Sequence, residues 1–177
     1  MDRFQQLTQA ANKLTADEFA RQHNHLYLYG SVPESSAMVG YGTFVTAPTM
    51  SEMPRGRSSR GRASTFVDVI EKSGRNDWMR RISVGRSSNN DIIFRHESVS
   101  KLHAYFFVRA TRRKLKRVEE LVLVDAGSSN GTLHNGRSVS RDPDQGKVMA
   151  FGDRIAFGEV ESEFVDVMTL YQVLRRQ

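Results

Sequence analysis

The chain has 177 residues, of which 38% are hydrophobic and 26% are charged, a balance typical of a soluble globular protein that can bury its own core. It contains no cysteine, and its five histidines show no metal-binding spacing, so we expect no disulfide, no metal and no other cofactor. The net charge of +6 favours a polyanionic or phosphorylated partner without choosing between the two.

The positive charge is unevenly distributed along the chain. Residues 1–53 carry a net charge of −2, residues 54–62 carry +4 from four arginines, and the remainder carries +4. The N-terminal residues include no apolar leader, and no hydrophobic run approaches membrane-spanning length. We therefore expect an intracellular, cytoplasmic protein with no membrane partner.

The first predicted elements are helical. Apolar residues recur at helical spacing between Phe4 and Leu14. Thr15 and Glu18 then have the spacing of a capping box, which indicates the start of a second short helix. We assign residues 1–30 to an N-terminal helical extension.

A segment rich in Gly, Ser, Pro and Arg follows, and it has few positions that could build a core. Its composition predicts a flexible linker over residues 31–63, with room for short strands.

The rest of the chain, residues 64–177, is a series of short β-rich runs separated by turn residues. The runs include TFVDVIE, RRISVGR, HAYFFVRA and ELVLVDA. Many short strands with frequent turns indicate an all-β fold, an antiparallel β-sandwich or a barrel. The final stretch, MTLYQVLRR, predicts a short closing helix.

One short motif raises the question of catalysis. Residues 127–131, GSSNG, match the G-x-S-x-G pattern that surrounds the nucleophile of many serine hydrolases. That nucleophile must be followed directly by a helix, whereas Ser129 is followed by TLHNG, a β-rich run with a tight-turn signal. We predict that Ser129 is not a nucleophile and that the protein is not an enzyme.

Two other interpretations of this loop remain. It can be a tight connection in which Gly127 and Gly131 adopt positive φ, or an anion site built from backbone N–H groups and small hydroxyls. An anion site would need a cation, and Arg86 follows a predicted strand at the start of another loop. Ser100 lies in a third loop, shortly before His103.

Taken together, the segments SVGRSSNNDI, SVSKLHAYFFV and LVLVDAGSSNGTLHNG, followed by GDRIAFG, resemble the forkhead-associated (FHA) domain. The family is a phosphothreonine-recognition module, and the resemblance covers about residues 64–167. It implies a β-sandwich whose loops at one end bind a phosphothreonine peptide without chemistry.

The resemblance also implies roles for individual residues. Arg86 matches the arginine that binds the phosphate, and Ser100 matches the serine that holds it. Ser129 corresponds to a hydroxyl residue of the third loop, and Asn130 corresponds to the asparagine that bonds the peptide main chain. Lys101 stands where Asn or Arg is common, and we include it in the phosphopeptide site.

Four further positions match residues that brace the loops: Gly85, His103, Gly131 and Asn135. Ser98 stands where some members carry an arginine that reads an acidic residue three positions after the phosphothreonine. The resemblance therefore does not extend to that preference.

Three functions compete at this point. The first is a phosphothreonine-dependent interaction module that serves a Ser/Thr kinase pathway, and the second is a scaffold domain that binds its partner without phosphate. The third, nucleic-acid binding through residues 54–62 and 109–120, is disfavoured because these basic segments lack interleaved aromatic residues. The sequence leaves the oligomeric state open.

Overall fold

Two β-sheets packed face to face form the body of the molecule. The structure, a computed structural model, describes residues 2–33, 63–113 and 116–176. The six-stranded sheet has the spatial order β2 (Ala63–Val69), β1 (Tyr27–Pro33), β11 (Val160–Val165), β10 (Arg154–Phe157), β7 (Thr132–His134), β8 (Arg137–Ser138). The five-stranded sheet has the order β4 (Ile92–Ile93), β3 (Ile82–Gly85), β5 (Ala104–Arg113), β6 (Lys116–Asp125), β9 (Lys147–Val148).

The pairing is antiparallel except between β3 and β4, which run parallel. The main core lies between the sheets and contains the buried aromatic residues Phe94, Phe106, Phe157 and Phe164. The expected fold class, an antiparallel β-sandwich with an N-terminal helical extension and a short C-terminal helix, is confirmed.

Three α-helices form a layer of their own: α1 (Arg3–Lys13), α2 (Ala16–Gln22) and α3 (Val167–Leu174). The capping box expected at α2 is present, because Glu18 N–H donates to Thr15 Oγ1 and Thr15 N–H donates to a Glu18 carboxylate oxygen. The helices bury a second apolar cluster, centred on Phe19 and Leu170, against the outer face of the six-stranded sheet. None of the helices in these described ranges is both long and apolar enough to cross a bilayer.

The helices cover only one end of that sheet. Tyr27 at the start of β1, whose register partners are Val69 and Val165, belongs to the helix-packed cluster. Strand β1 then runs to Pro33, at the level of the turn between β10 and β11. The opposite end of the sandwich therefore stays clear of the helices.

Strand β1 departs from the segment boundaries expected from the sequence. Residues 27–33, which we placed in the helical extension and the linker, form a strand between β2 and β11. Gly30 weakens the strand signal, yet a Cβ at this position would lie only 2.1 Å from the carbonyl oxygen of Glu161. The remainder of the expected linker, residues 34–62, lies outside the described residues, and the three-part division stays a prediction.

A long hairpin of β5 and β6 fills most of the five-stranded sheet. The register runs from Ala104 opposite Asp125 to Arg113 opposite Lys116. The hairpin carries the basic residues Arg109, Arg112, Lys116 and Arg117 away from the end at which β6 stops and β7 begins, so their charge is remote from the loops described next.

Candidate functional site

Three loops meet at the end of the sandwich that the helices leave open. They connect β3 to β4, β4 to β5, and β6 to β7, and they carry Arg86, Ser100 and Ser129 respectively. Residues far apart in sequence are therefore neighbours at this end.

The contact between Ser100 and Ser129 closes the centre of the site. The Ser129 backbone N–H donates to Ser100 Oγ at 3.0 Å, and the two hydroxyl oxygens are 3.5 Å apart. Ser129 is exposed and Ser100 is half-buried. The Ser129 N–H is engaged by Ser100 Oγ, and the two hydroxyls are presented side by side as small polar groups that suit an anion-binding loop.

Arg86 is held beside this pair by its backbone and by one side of its guanidinium. Its N–H donates to the Ser100 carbonyl at 2.9 Å, and its Nε donates to the Val99 carbonyl at 3.1 Å. Because Nε is used in this way and the side chain is exposed, both terminal nitrogens remain for a ligand. An arginine fork fixed on one edge suits two oxygens of one phosphate.

The loop that carries Arg86 is anchored by residues that the sequence analysis missed. The buried Asn90 donates through Nδ2 to the carbonyl oxygens of Ser87 at 2.9 Å and Lys101 at 2.6 Å. A Cβ at Gly85 would lie 2.4 Å from the same Lys101 carbonyl, so only glycine fits there. Gly85 therefore braces the loop in the way that the resemblance implies.

Asp91 fixes the other end of the same loop. Burial alone would raise the pKa of this carboxyl, but N–H groups of Ser83 and Ser73, the Lys72 ammonium and both serine hydroxyls hold the pKa well below its usual range. Asp91 is consequently charged across the physiological range.

Lys101 is exposed, and its carbonyl is occupied by loop-bracing contacts. On the other side of Arg86 an open cleft of about 500 Å³ is lined by Arg86, Arg95, His96 and Glu97. Arg86 and Arg95 supply the cationic side chains of this cleft, and Glu97 supplies an acidic one.

His103 bonds both the β4–β5 loop and the β6–β7 loop. Its Nδ1 accepts the Ser100 N–H at 3.0 Å, and its Nε2 lies 3.0 Å from the Gly131 carbonyl oxygen. Nδ1 must therefore be unprotonated, and Nε2 carries the hydrogen. The ring is fully buried, and burial lowers its pKa, so it is a neutral structural residue.

Asn130 lies next to the serine pair but points its amide group inward. Its Nδ2 donates to the Ser98 carbonyl at 2.8 Å, which links the second and third loops. The side-chain carbonyl is left as an acceptor for a peptide N–H. The resemblance assigned Asn130 to the ligand only, whereas the structure also gives it a bracing contact.

Ser98 is a buried connection between the loops and the six-stranded sheet. Its Oγ accepts the Glu159 N–H at 2.9 Å and lies 2.8 Å from His96 Nδ1. A Cβ at Gly158 would come within 2.5 Å of its carbonyl. The space that an arginine would need at this position is therefore taken up by backbone.

The third loop is shaped by Asp125, which the sequence analysis also missed. The carboxylate accepts hydrogen bonds from Gly127 N–H, Ser128 N–H, Ser128 Oγ and Thr132 Oγ1. Burial alone would raise its pKa, but these donors together hold the pKa below its usual value. They leave Ser129, between them, facing out.

Two positive-φ residues complete the bracing. Gly131 has φ +78° where the third loop enters β7. Asn135 has φ +49°, and its side chain bonds both Asp153 Oδ1 and the Arg154 N–H across the sheet. Asn135 thus stabilises the β7–β8 turn and lies away from the serine pair.

The local structure also removes the support for a catalytic Ser129. The chain continues from Ser129 into strand β7 rather than into a helix. His103 directs its Nε2 to a backbone carbonyl, and the contact of Ser129 is with Ser100. Within the described ranges, no group of histidine and acidic side chains is arranged to hold a metal ion.

Comparison with known proteins identifies the domain. Residues 82–158 match the family model of the FHA domain, and this stretch contains all nine residues that the resemblance singled out. The family resemblance is therefore confirmed over these residues. No curated protein matches the chain.

Solved structures give remote likenesses. The yeast Dun1 FHA domain, in complex with a doubly phosphorylated peptide, is 17% identical with a TM-score of 0.44, covering 81% of this chain and 76% of that one. The Slr1951 protein from Synechocystis sp. is 17% identical with a TM-score of 0.45, covering 80% and 96%. The FHA domain of CT664 from Chlamydia trachomatis is 17% identical with a TM-score of 0.42, covering 80% and 97%. Since these scores are low, the assignment depends on the family model.

Proposed function

We propose that this protein binds phosphothreonine-containing segments of a partner protein, with Arg86, Ser100, Lys101, Ser129 and Asn130 as the contacting residues. The observation that carries the proposal is the Ser100–Ser129 pair, which presents two hydroxyl groups beside the half-free guanidinium of Arg86. The phosphorylated state of the partner would depend on a Ser/Thr kinase, so the protein would act in kinase signalling. It performs no chemistry on its ligand.

The donor set suits a phosphate better than a carboxylate. A phosphothreonine carries close to two negative charges and three acceptor oxygens, which can occupy the guanidinium, the hydroxyls and the loop N–H groups together. A glutamate offers one charge and two oxygens, and leaves several of these donors without a partner. Phosphothreonine peptides should therefore bind, and their glutamate mimics should not.

The test is a calorimetric titration of one phosphothreonine peptide into the wild type, Arg86→Ala and Arg86→Lys. Loss of Arg86 should weaken binding by about 2 kcal/mol or more, because a charge-assisted contact disappears. Lysine should restore binding only in part, since it supplies the charge but not the fork. Stability should change by no more than about 1 kcal/mol, as for surface substitutions.

Arg137→Ala, which removes an exposed arginine from strand β8, is the matched control and should bind like the wild type. A folded Arg86→Ala protein with normal phosphopeptide affinity would show that the assigned site is wrong. Partner affinity that is the same with and without phosphate, and the same in Arg86→Ala as in the wild type, would support the scaffold alternative. Salt-sensitive binding of nucleic acid that survives the substitution would support the third function.

A further inference from the structure

A second pocket opens on the outer face of the five-stranded sheet. It has a volume of about 420 Å³, and Tyr105, at the start of β5, forms part of its wall. Leu102 and Gly127 also line it, and these residues lie one position after Lys101 and two before Ser129. The pocket and the proposed phosphate site therefore share two loops.

Two arginines give this pocket its charge, and we call it the Arg81–Arg141 pocket. The guanidinium carbon of Arg81 lies 4.5 Å from the centre of the Tyr105 ring, which fixes the group by a cation–π contact and leaves its edge free to donate. The Arg141 side chain is 74% exposed, and its Nε is 3.7 Å from Asp125 Oδ1.

The one acidic side chain among the lining residues does not neutralise both arginines. Asp125 is 4% exposed, and its oxygens already accept four hydrogen bonds from the loop that it shapes. Two cations thus face one buried carboxylate whose acceptors are in use. The pocket is electropositive and suits an anionic group.

The apolar wall indicates that the anion belongs to a side chain. Trp78 lines the pocket and is 41% exposed, so part of its ring surface faces solvent. An aromatic surface of this kind can pack against side-chain methylenes while the arginines meet the charge. A glutamate or aspartate of an extended peptide combines both features.

We propose that the Arg81–Arg141 pocket binds an acidic residue of the same segment whose phosphothreonine occupies the loop site. This inference rests on the proposed function and extends it to sequence preference. Gly127 and Ser129 are two residues apart, which separates pocket and site by at most about 7 Å along the loop. An extended peptide would reach the pocket about two to four positions from its phosphothreonine.

The experiment uses the full chain and a set of phosphothreonine peptides with alanine flanks. Each carries one glutamate, two, three or four positions before or after the phosphothreonine. One position should raise affinity about three- to five-fold over the all-alanine peptide, the range of an exposed ion pair. The gain should disappear in Arg141→Ala, whose affinity for the all-alanine peptide should equal that of the wild type.

Charge reversal sharpens the test. Arg141→Glu should prefer lysine to glutamate at the same peptide position, and Arg137→Ala should keep the wild-type preference. A glutamate preference that persists in Arg141→Ala, or no preference at any position, would overturn this inference and leave the proposed function intact. Equal binding of the glutamate peptide without phosphate would also overturn it, since the pocket would then act alone. Failure of every phosphothreonine peptide to bind the wild type would contradict both this inference and the proposed function.

Discussion

His103 shows how one residue can make the site depend on pH without touching a ligand. The folded protein disfavours its protonation, because Nδ1 accepts the Ser100 N–H and burial lowers its pKa. In the unfolded chain a histidine takes up a proton near pH 6.5. The unfolded state therefore binds more protons below that pH, and stability is lost as the pH falls.

We expect His103→Gln to melt at a lower temperature than the wild type at pH 7.5, with a loss of about 1–3 kcal/mol, because glutamine cannot hold both partners. The loss of stability between pH 7.5 and 5.5 should be smaller in the variant. Melting curves across this range measure both effects.

His25→Gln is the control, since His25 is half exposed and lies at the far end of the molecule. His23, whose pKa burial and the neighbouring His25 both lower, is unchanged between the wild type and His103→Gln, so the difference between these two proteins isolates His103. An unchanged pH dependence in His103→Gln would refute the assigned tautomer.

Short motifs named residues that the structure brings together at one end of the sandwich, and their contact with a ligand stays a prediction. Arg86, Ser100 and Ser129 lie together because each follows a motif that fixes a loop at the same end of the sandwich. The contacts that hold these loops in place could not be predicted. The Asn90 amide bonds the Lys101 carbonyl, and the Ser98 carbonyl accepts the Asn130 amide, so each contact joins two different loops. Such contacts leave no local signal in the sequence.

Among the elements, the turn between β10 and β11 connects the six-stranded sheet to the binding loops. Gly158 in this turn has φ +62°, and a Cβ there would lie 2.5 Å from the carbonyl oxygen of Ser98. The same carbonyl accepts the Asn130 amide, so displacement of one group would move two loops.

Gly158→Ala should therefore lower both stability and phosphopeptide affinity. Gly74→Ala is a matched control, because Gly74 has φ +73° but nothing lies within 4 Å of its added Cβ. Both variants should lose about 1 kcal/mol from backbone strain, and only Gly158→Ala should lose more from steric overlap. Thermal melts and peptide titrations separate the two costs, and identical behaviour of both variants would contradict the role given to this turn.

Element prediction succeeded where the apolar runs were long, and at β1 it offered only a possible short strand within the expected extension and linker. The runs HAYFFVRA and ELVLVDA are rich in apolar and β-branched residues, and both strands, β5 and β6, form as expected. Strand β1 contains Gly30 and ends at Pro33, both poor strand residues. It forms because β2 and β11 pair with it on either side, and neither partner is close to it in sequence.

At the scale of the whole molecule, the helices and the binding loops occupy opposite ends of the sandwich. The helical layer has its own apolar cluster, in which Phe19 is fully buried. The Tyr27 hydroxyl also ties this layer to β1 by donating to the His23 carbonyl, and the Tyr171 hydroxyl donates to the Leu14 carbonyl within the layer. We infer that the extension is a structural part of the domain.

Phe19→Ala should destabilise the protein by about 3–5 kcal/mol, as expected for loss of a buried aromatic side chain. Unfolding should remain a single cooperative transition, and phosphopeptide affinity of the folded protein should be unchanged. Circular dichroism melts and titration measure these outcomes. Phe4→Ala, at a partly exposed position of the same cluster, should cost less. A separate early transition of the helices would show that they fold independently of the sandwich.

The register of β1 with β2 has a consequence for how this protein can vary. Pro33 lies opposite Ala63, so the chain leaves the sheet and returns to it at neighbouring points, at the end that carries the loops. Closing a longer or shorter connection between fixed, adjacent ends changes the free energy little, about 0.6 kcal/mol for each doubling of its length. The pairing of β1 with β2 holds the two ends of this connection together, and it should persist when the connection is lengthened or shortened.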